Sequence, residues 1–165
     1  GHTASTPLSM ALLHAHDAAS ALDAIGSRCH SPASVRDGLL AMLDQPDWRP
    51  HLVVAAALWM LPDPAPYIEP LWACIGAGSW VGPQLVATAA RIDEGFEDRA
   101  RAWLHAAASA EDWDPKMASA LLALLEDDAS AIEAALAVGL ASDVDDGGAI
   151  ARDWGSRMEE LLPAG

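Results

Sequence analysis

Apolar residues recur along the chain at the three- and four-residue spacing that places them on one face of an α-helix. Successive stripes of this kind begin at Leu8, Val35, Leu52, Ile68, Leu85, Ala100, Met117, Ile132 and Ile150. No segment alternates apolar and polar residues, and Ala and Leu dominate over β-branched and aromatic residues, which favours helices over strands. The pattern therefore predicts an all-α chain of about nine helices joined by short links.

Proline and glycine occur where such helices would begin and end. Ser31-Pro32, Gly82-Pro83 and Asp114-Pro115 each place a capping residue before a proline, an arrangement typical of a helix start. Gly76, Gly95 and Gly139 follow apolar stripes and predict helix ends. Pro62, Pro64 and Pro66 predict a longer connection, because proline cannot continue a helix.

Three tryptophans mark a repeat in this helical pattern. Trp48, Trp80 and Trp113 lie 32 and 33 residues apart, each in a short break between two stripes. Aligning the chain on them superposes Leu39, Leu71 and Leu104 nine residues before the tryptophan, and brings Leu52, Leu85 and Met117 together four or five residues after it. Each unit is therefore predicted to be a helix, a turn that carries Trp, and a second helix. Repeats of this length in a helical chain are typical of an α-solenoid.

The segment 44–49 (Asp-Gln-Pro-Asp-Trp-Arg), followed by the Ala-rich run 54–58, resembles the turn and second helix of HEAT-like repeats. Trp replaces the usual turn valine, and the usual Arg after the turn is matched only loosely by Arg49 and Lys116. The resemblance extends over residues 33–141. Tetratricopeptide repeats have a similar length, but their Trp-Leu-Gly-Tyr pattern cannot be placed in this chain.

The resemblance implies a right-handed α–α superhelix in a single domain over residues 1–165. We expect an N-terminal capping helix at 6–25 and four helix pairs at 33–62, 66–94, 97–126 and 129–162. Gly1-His2 reads as a cloning remnant. The longest apolar run, 52–61, is too short to predict a membrane helix.

The chain is strongly acidic, with 24 Asp and Glu against 9 Lys and Arg and a net charge of −15. This balance argues against binding to nucleic acid or to an anionic membrane, because both need clustered basic residues. The acids concentrate toward the C-terminus, where we expect an acidic patch formed by Glu126, Asp127, Asp128, Asp143, Asp145 and Asp146. Such a patch either keeps the domain soluble or steers a basic protein partner toward it.

Motifs for chemistry are weak in this sequence. The glycine-rich stretch 76–82 lacks the spacing of a phosphate loop, and 143–148 lacks the glutamate that completes a calcium loop. His14 and His16 fall on different faces of a helix. Cys29 and Cys74 are expected to be free thiols in a reducing cytoplasm. We therefore expect no catalytic residue, no cofactor and no metal.

The expected function is non-enzymatic protein binding on the concave surface of the solenoid. Its contact residues are predicted to be Arg49, His51, Gln84, Arg91, Asp114 and Lys116. A narrower hypothesis is a small bacterial inhibitor, such as an immunity protein for a basic toxin. A scaffold domain of a larger protein is an alternative. A HEAT-like enzyme acting on nucleic acid or as a lyase is another, which the acidity disfavours.

Overall fold

The computed structural model describes residues 12–13, 18–28, 32–108, 114–125 and 147–162. These residues form helices and turns and no strand, as the apolar pattern predicts. In chain order, the helices are α1 (Ala18–Arg28), α2 (Pro32–Leu43), α3 (Trp48–Met60), α4 (Ile68–Gly76), α5 (Gly82–Ile92), α6 (Phe96–Ala108), α7 (Pro115–Leu124) and α8 (Gly147–Leu161). A short 3-10 turn, Ala65–Tyr67, precedes α4.

Several helix ends follow directly from the sequence. Asp47 caps α3 by accepting a hydrogen bond from the Arg49 backbone N–H, and Asp114 caps α7 in the same way. These side chains satisfy backbone donors that have no partner within the helix. α4 ends at Gly76 as predicted. α5 differs slightly, because Val81 occupies the capping position that the Gly82-Pro83 pair had indicated for Gly82.

The helices pack in consecutive pairs: α2 with α3, α4 with α5, and α6 with α7. Contacts between pairs join the second helices, α3 with α5 and α5 with α7, and the first helices α2 and α4. α1 packs on α3. Each of the predicted units 33–62, 66–94 and 97–126 thus contains two helices that contact each other.

Helix α5 is the centre of the core. Every residue from 81 to 89 is buried, although an amphipathic surface helix would expose one side. The reason is that α5 has neighbours all around it: α3, α4, α6, α7 and α8. Leu85, Val86 and Thr88 are fully enclosed. The second helices therefore do not leave an open face along α5.

Helix α8 packs against the second helices α5 and α7. The Gly148 N–H donates to Ser119 Oγ at 3.1 Å, and Arg152 Nη2 donates to the Ala123 carbonyl at 2.9 Å. Both contacts advance in the same direction along the two helices, so α8 runs parallel to α7. Trp154, which is 4% exposed, packs its ring edge-on against Trp59 of α3 with centroids 6.0 Å apart.

Within the described part of the chain, we find no helix that has both the length and the apolar character needed to cross a membrane.

Candidate functional site

A groove of about 1090 Å³ lies between the α2–α3 turn and the α4–α5 turn. We call it the tryptophan groove. Its described lining residues are Leu40, Ala41, Leu43, Asp44, Gln45, Pro46, Asp47, Trp48, His51, Pro70, Ala73, Cys74, Ala77, Gly78, Ser79 and Trp80. The floor is mostly apolar and comes from α2, α3 and α4.

The α4–α5 turn needs glycine to shape this groove. Gly78 has a φ of +81°, a left-handed conformation that side chains with a Cβ rarely adopt. Its own N–H donates to the Ile75 carbonyl and closes the end of α4. The reversal then presents Ser79 and Trp80 toward the α2–α3 turn.

His51 connects the α2–α3 turn to the α4–α5 turn through hydrogen bonds of its side chain. Its side chain is 4% exposed, and Nε2 lies 2.5 Å from the Gln45 carbonyl oxygen. Because a carbonyl can only accept a hydrogen bond, Nε2 carries the proton. In the neutral ring, Nδ1 is then the acceptor, and it lies 2.8 Å from Ser79 Oγ. The Ser79 hydroxyl therefore donates to a basic nitrogen.

The two tryptophans of the aligned repeat positions contact each other at the groove edge. The rings of Trp48 and Trp80 have centroids 5.0 Å apart and planes tilted by 53°. Arg49 lies over Trp48, with Cζ 4.8 Å from the ring centroid, and Lys116 Nζ lies 5.2 Å from the Trp80 centroid. Trp80 is nevertheless 57% exposed, more than any other large hydrophobic residue that the structure describes.

The groove edge carries charges of both signs, because the cations of Arg49 and Lys116 lie over the rings of Trp48 and Trp80. Among its described lining residues, Asp44 and Asp47 are acidic and none is Lys or Arg. The backbone N–H of Arg49 lowers the pKa of Asp47 by donating a hydrogen bond to its carboxylate. The Arg49 side chain also pairs with Asp47 at 3.2 Å, but exposed pairs of this kind contribute little to stability. The Asp47 carboxylate therefore stays ionised at neutral pH.

Cys74 lies in the wall of the groove as a buried free thiol. Burial raises its pKa to about 11, because a thiolate would lose its hydration there. A protonated thiol is a poor nucleophile and a poor metal ligand. Cys74 therefore serves as an apolar wall residue.

A second groove of about 790 Å³ lies beside the α5–α6 turn. Its centre is Asp93, which is 8% exposed and accepts hydrogen bonds from Trp72 Nε1 at 2.8 Å and the Gly95 N–H at 2.9 Å. Arg99 Nε lies 3.2 Å from the same carboxylate. These contacts hold Asp93 in a structural role. Arg99 also donates a hydrogen bond to Glu69, which lowers the pKa of the Glu69 carboxyl group.

The predicted contact residues differ widely in their solvent exposure. Arg49 and Arg91 are exposed, Lys116 and Asp114 are half-buried, and Asp114 is used as a helix cap. Arg91 lies over the Trp59 ring, with Cζ 5.2 Å from its centroid. His51 and Gln84 are buried. Within the described residues, the Gln84 Oε1 atom has no hydrogen-bond partner.

Some predicted site residues lie outside the described residues. These are Trp113 and the whole acidic patch: Glu126, Asp127, Asp128, Asp143, Asp145 and Asp146. Cys29, His14 and His16 also lie outside them. In the part of the chain with described structure, no three His, Cys, Asp or Glu side chains converge as metal ligands would.

A role for Ser79 was not predictable from the sequence. Its relation to His51 depends on two turns 28 residues apart coming together, and neither residue belongs to a motif with fixed spacing. The only signal is that Ser79 directly precedes a repeat tryptophan.

Comparisons with protein-family models, with curated proteins and with solved structures found no match to this chain.

Proposed function

We propose that this chain is a protein-interaction domain that binds a basic, partly apolar segment of its partner in the tryptophan groove. The observation that carries the proposal is Trp80, a large aromatic side chain that remains 57% exposed beside an apolar groove. Tryptophan is enriched among the residues that dominate binding energy at interfaces.

The chemistry of the partner follows from the groove lining. Leu40, Leu43 and Trp48 offer an apolar surface, while Asp44 places a carboxylate at the rim beside Asp47, which is paired with Arg49. A segment with an apolar side chain next to Lys or Arg satisfies both. The net charge of −15 supports the same partner, because it attracts basic proteins from a distance and speeds their association.

The finer architecture that supports this role is a stack of HEAT-like pairs. The pairwise contacts of α2–α3, α4–α5 and α6–α7, together with α3–α5 and α5–α7, are those that a stack requires. The contact between Trp48 and Trp80 supports equivalent positions for the first two turns. In this proposal the binding site is the edge formed by successive turns, since α8 covers the second helices.

A narrower form of the proposal is an inhibitor that neutralises a basic toxin, as an immunity protein does. The acidity and the small size support it.

Selection from a random peptide library displayed on phage tests the binding proposal. We expect enriched peptides to combine Lys or Arg with an aromatic or aliphatic residue. Their binding should be lost in Trp80→Ala and weakened in Asp44→Asn. Asp37→Asn is the matched control, because Asp37 is an exposed acid of α2 outside the groove lining. Enrichment of acidic peptides, or equal binding by Trp80→Ala, would contradict the proposal.

A further inference from the structure

The groove also contains a pair of side chains that peptide binding does not require. Ser79 Oγ and His51 Nδ1 are 2.8 Å apart, and both residues line the groove. His51 is held by the Gln45 carbonyl at 2.5 Å. A hydroxyl, a base within hydrogen-bond distance, and a third group that orients the base form the arrangement that activates a nucleophile.

The orientation of the imidazole matters for this chemistry. The Gln45 carbonyl fixes the proton on Nε2, so the lone pair of Nδ1 points at the Ser79 hydroxyl. The familiar serine hydrolases use the opposite nitrogen for the base, but what the reaction needs is an unprotonated nitrogen aimed at the hydroxyl. His51 supplies that nitrogen and is too enclosed to rotate freely.

Ser79 lies close to the N-terminal end of a helix. Ser79 lies just ahead of α5, which begins at Gly82, and its carbonyl accepts the first N–H of that helix at 2.9 Å. The N-terminal end of a helix stabilises a nearby anion. Ser79 itself is half-buried and lines the groove.

We propose that Ser79 is a nucleophile activated by His51, and that it accepts the acyl group of an ester with an apolar acyl chain. Ser79 Oγ forms a bond to the carbonyl carbon and passes its proton to His51 Nδ1. The bond between that carbon and the alcohol oxygen breaks, and the alcohol leaves with the proton from His51. Water then attacks the acyl carbon and gives a proton to His51 Nδ1. The bond between that carbon and Ser79 Oγ breaks, His51 returns the proton to the serine oxygen, and the carboxylic acid leaves.

The apolar walls determine the substrate class. Leu40, Leu43 and Pro70 line the same groove and would cover the acyl chain. The acids Asp44 and Asp47 disfavour a carboxylate or phosphate on the substrate by charge repulsion. This activity goes beyond the proposed binding role, and either can fail without the other, since serine acylation needs no partner protein.

An alkyl fluorophosphonate is the probe for the test. It reacts by forming an oxygen–phosphorus bond at the serine while fluoride leaves, and peptide mapping locates the adduct. We expect a stable adduct on Ser79 in the native protein and none in Ser79→Ala. Ser156→Ala, which removes an exposed serine of α8, should label like the wild type.

The His51→Gln variant distinguishes a catalytic role of His51 from a purely structural one. A Gln side chain can still donate to the Gln45 carbonyl but presents no basic nitrogen to Ser79. General-base assistance of this kind contributes on the order of 100-fold or more, so labelling should slow by about that factor. The unfolding temperature, measured alongside, identifies any loss of labelling that comes from unfolding. Hydrolysis of p-nitrophenyl butyrate should fall in parallel.

Two results would overturn the proposal. One is a native protein whose Ser79 is labelled no faster than Ser156. The other is a His51→Gln variant that folds normally and labels at the wild-type rate, which would make the pair a structural hydrogen bond only.

Discussion

Trp59 and Thr88 join two second helices of neighbouring pairs through one buried hydroxyl. The Trp59 indole N–H donates to Thr88 Oγ1 at 3.1 Å, and that hydroxyl donates to the Gln84 carbonyl at 2.9 Å. Thr88 is fully enclosed, so its hydroxyl relies on these partners. The ring of Trp59 also contacts Trp154, which connects α3, α5 and α8 at one point.

Thr88→Val should therefore destabilise the protein although it keeps the shape of the side chain. The Trp59 N–H loses its acceptor, and a buried donor left without a partner costs about 1–3 kcal/mol. Chemical denaturation measures the change. Thr88→Ser is the control, because it retains the hydroxyl and both hydrogen bonds. Equal stability of the valine variant and the wild type would show that this hydrogen bond contributes nothing.

Two glycines of α8 should respond in opposite ways to alanine. A Cβ at Gly147 would overlap the backbone carbonyl of Lys116, so α8 would have to move away from α7. We expect Gly147→Ala to cost about 2 kcal/mol, as overpacking typically does. At Gly155 the new Cβ would lie 3.9 Å from the Cβ of Ala87, an ordinary contact. Gly155→Ala should stabilise the helix by up to about 1 kcal/mol.

Thermal unfolding of the two glycine variants side by side tests the docking of α8. A Gly147→Ala variant as stable as Gly155→Ala would mean that α8 does not lie against α7 in solution.

The Cys74 thiol should resist alkylation in the folded protein. Burial raises its pKa to about 11 from an ordinary value of 9.0, so at pH 8 only about one molecule in a thousand carries the thiolate that reacts. Iodoacetamide should modify Cys74 slowly in buffer and quickly in urea, as peptide mapping would show. Rapid native modification would contradict the burial of this thiol.

The same pKa shift makes stability depend on pH in the alkaline range. The folded state binds the Cys74 proton more tightly than the unfolded state, so unfolding becomes easier as the pH rises from 9.0 toward about 11. Cys74→Ala should remove this part of the pH dependence. Denaturation curves at several alkaline pH values compare the two proteins.

Local features of the fold were predictable from the sequence, because they depend on neighbouring residues. Asp114 before Pro115 indicated the start of α7, and the capping hydrogen bond to the Lys116 N–H is 3.0 Å long. Gly76 indicated the end of α4. The Trp spacing predicted turn positions for Trp48 and Trp80. Trp80 lies in the α4–α5 turn, Trp48 is the first residue of α3, and the two rings contact each other.

The solvent exposure of the predicted contact residues was not predictable from the sequence, because it depends on contacts between distant segments. Gln84 was expected on a binding surface, but α5 is covered on all sides and Gln84 is 6% exposed. His51 was expected on the same surface, but it turns inward to Ser79. No pattern in the chain shows that α8 packs over the second helices. The candidate site therefore lies at the turns between the helices, whereas the sequence analysis predicted it on the faces of the second helices.

Titration of one library-selected peptide by calorimetry tests the central claim, that the tryptophan groove binds basic segments. The account predicts binding by the wild type that weakens as salt is added, weakens in Asp44→Asn but not in Asp37→Asn, and disappears in Trp80→Ala. Binding that is indifferent to salt and unchanged in Trp80→Ala would contradict it.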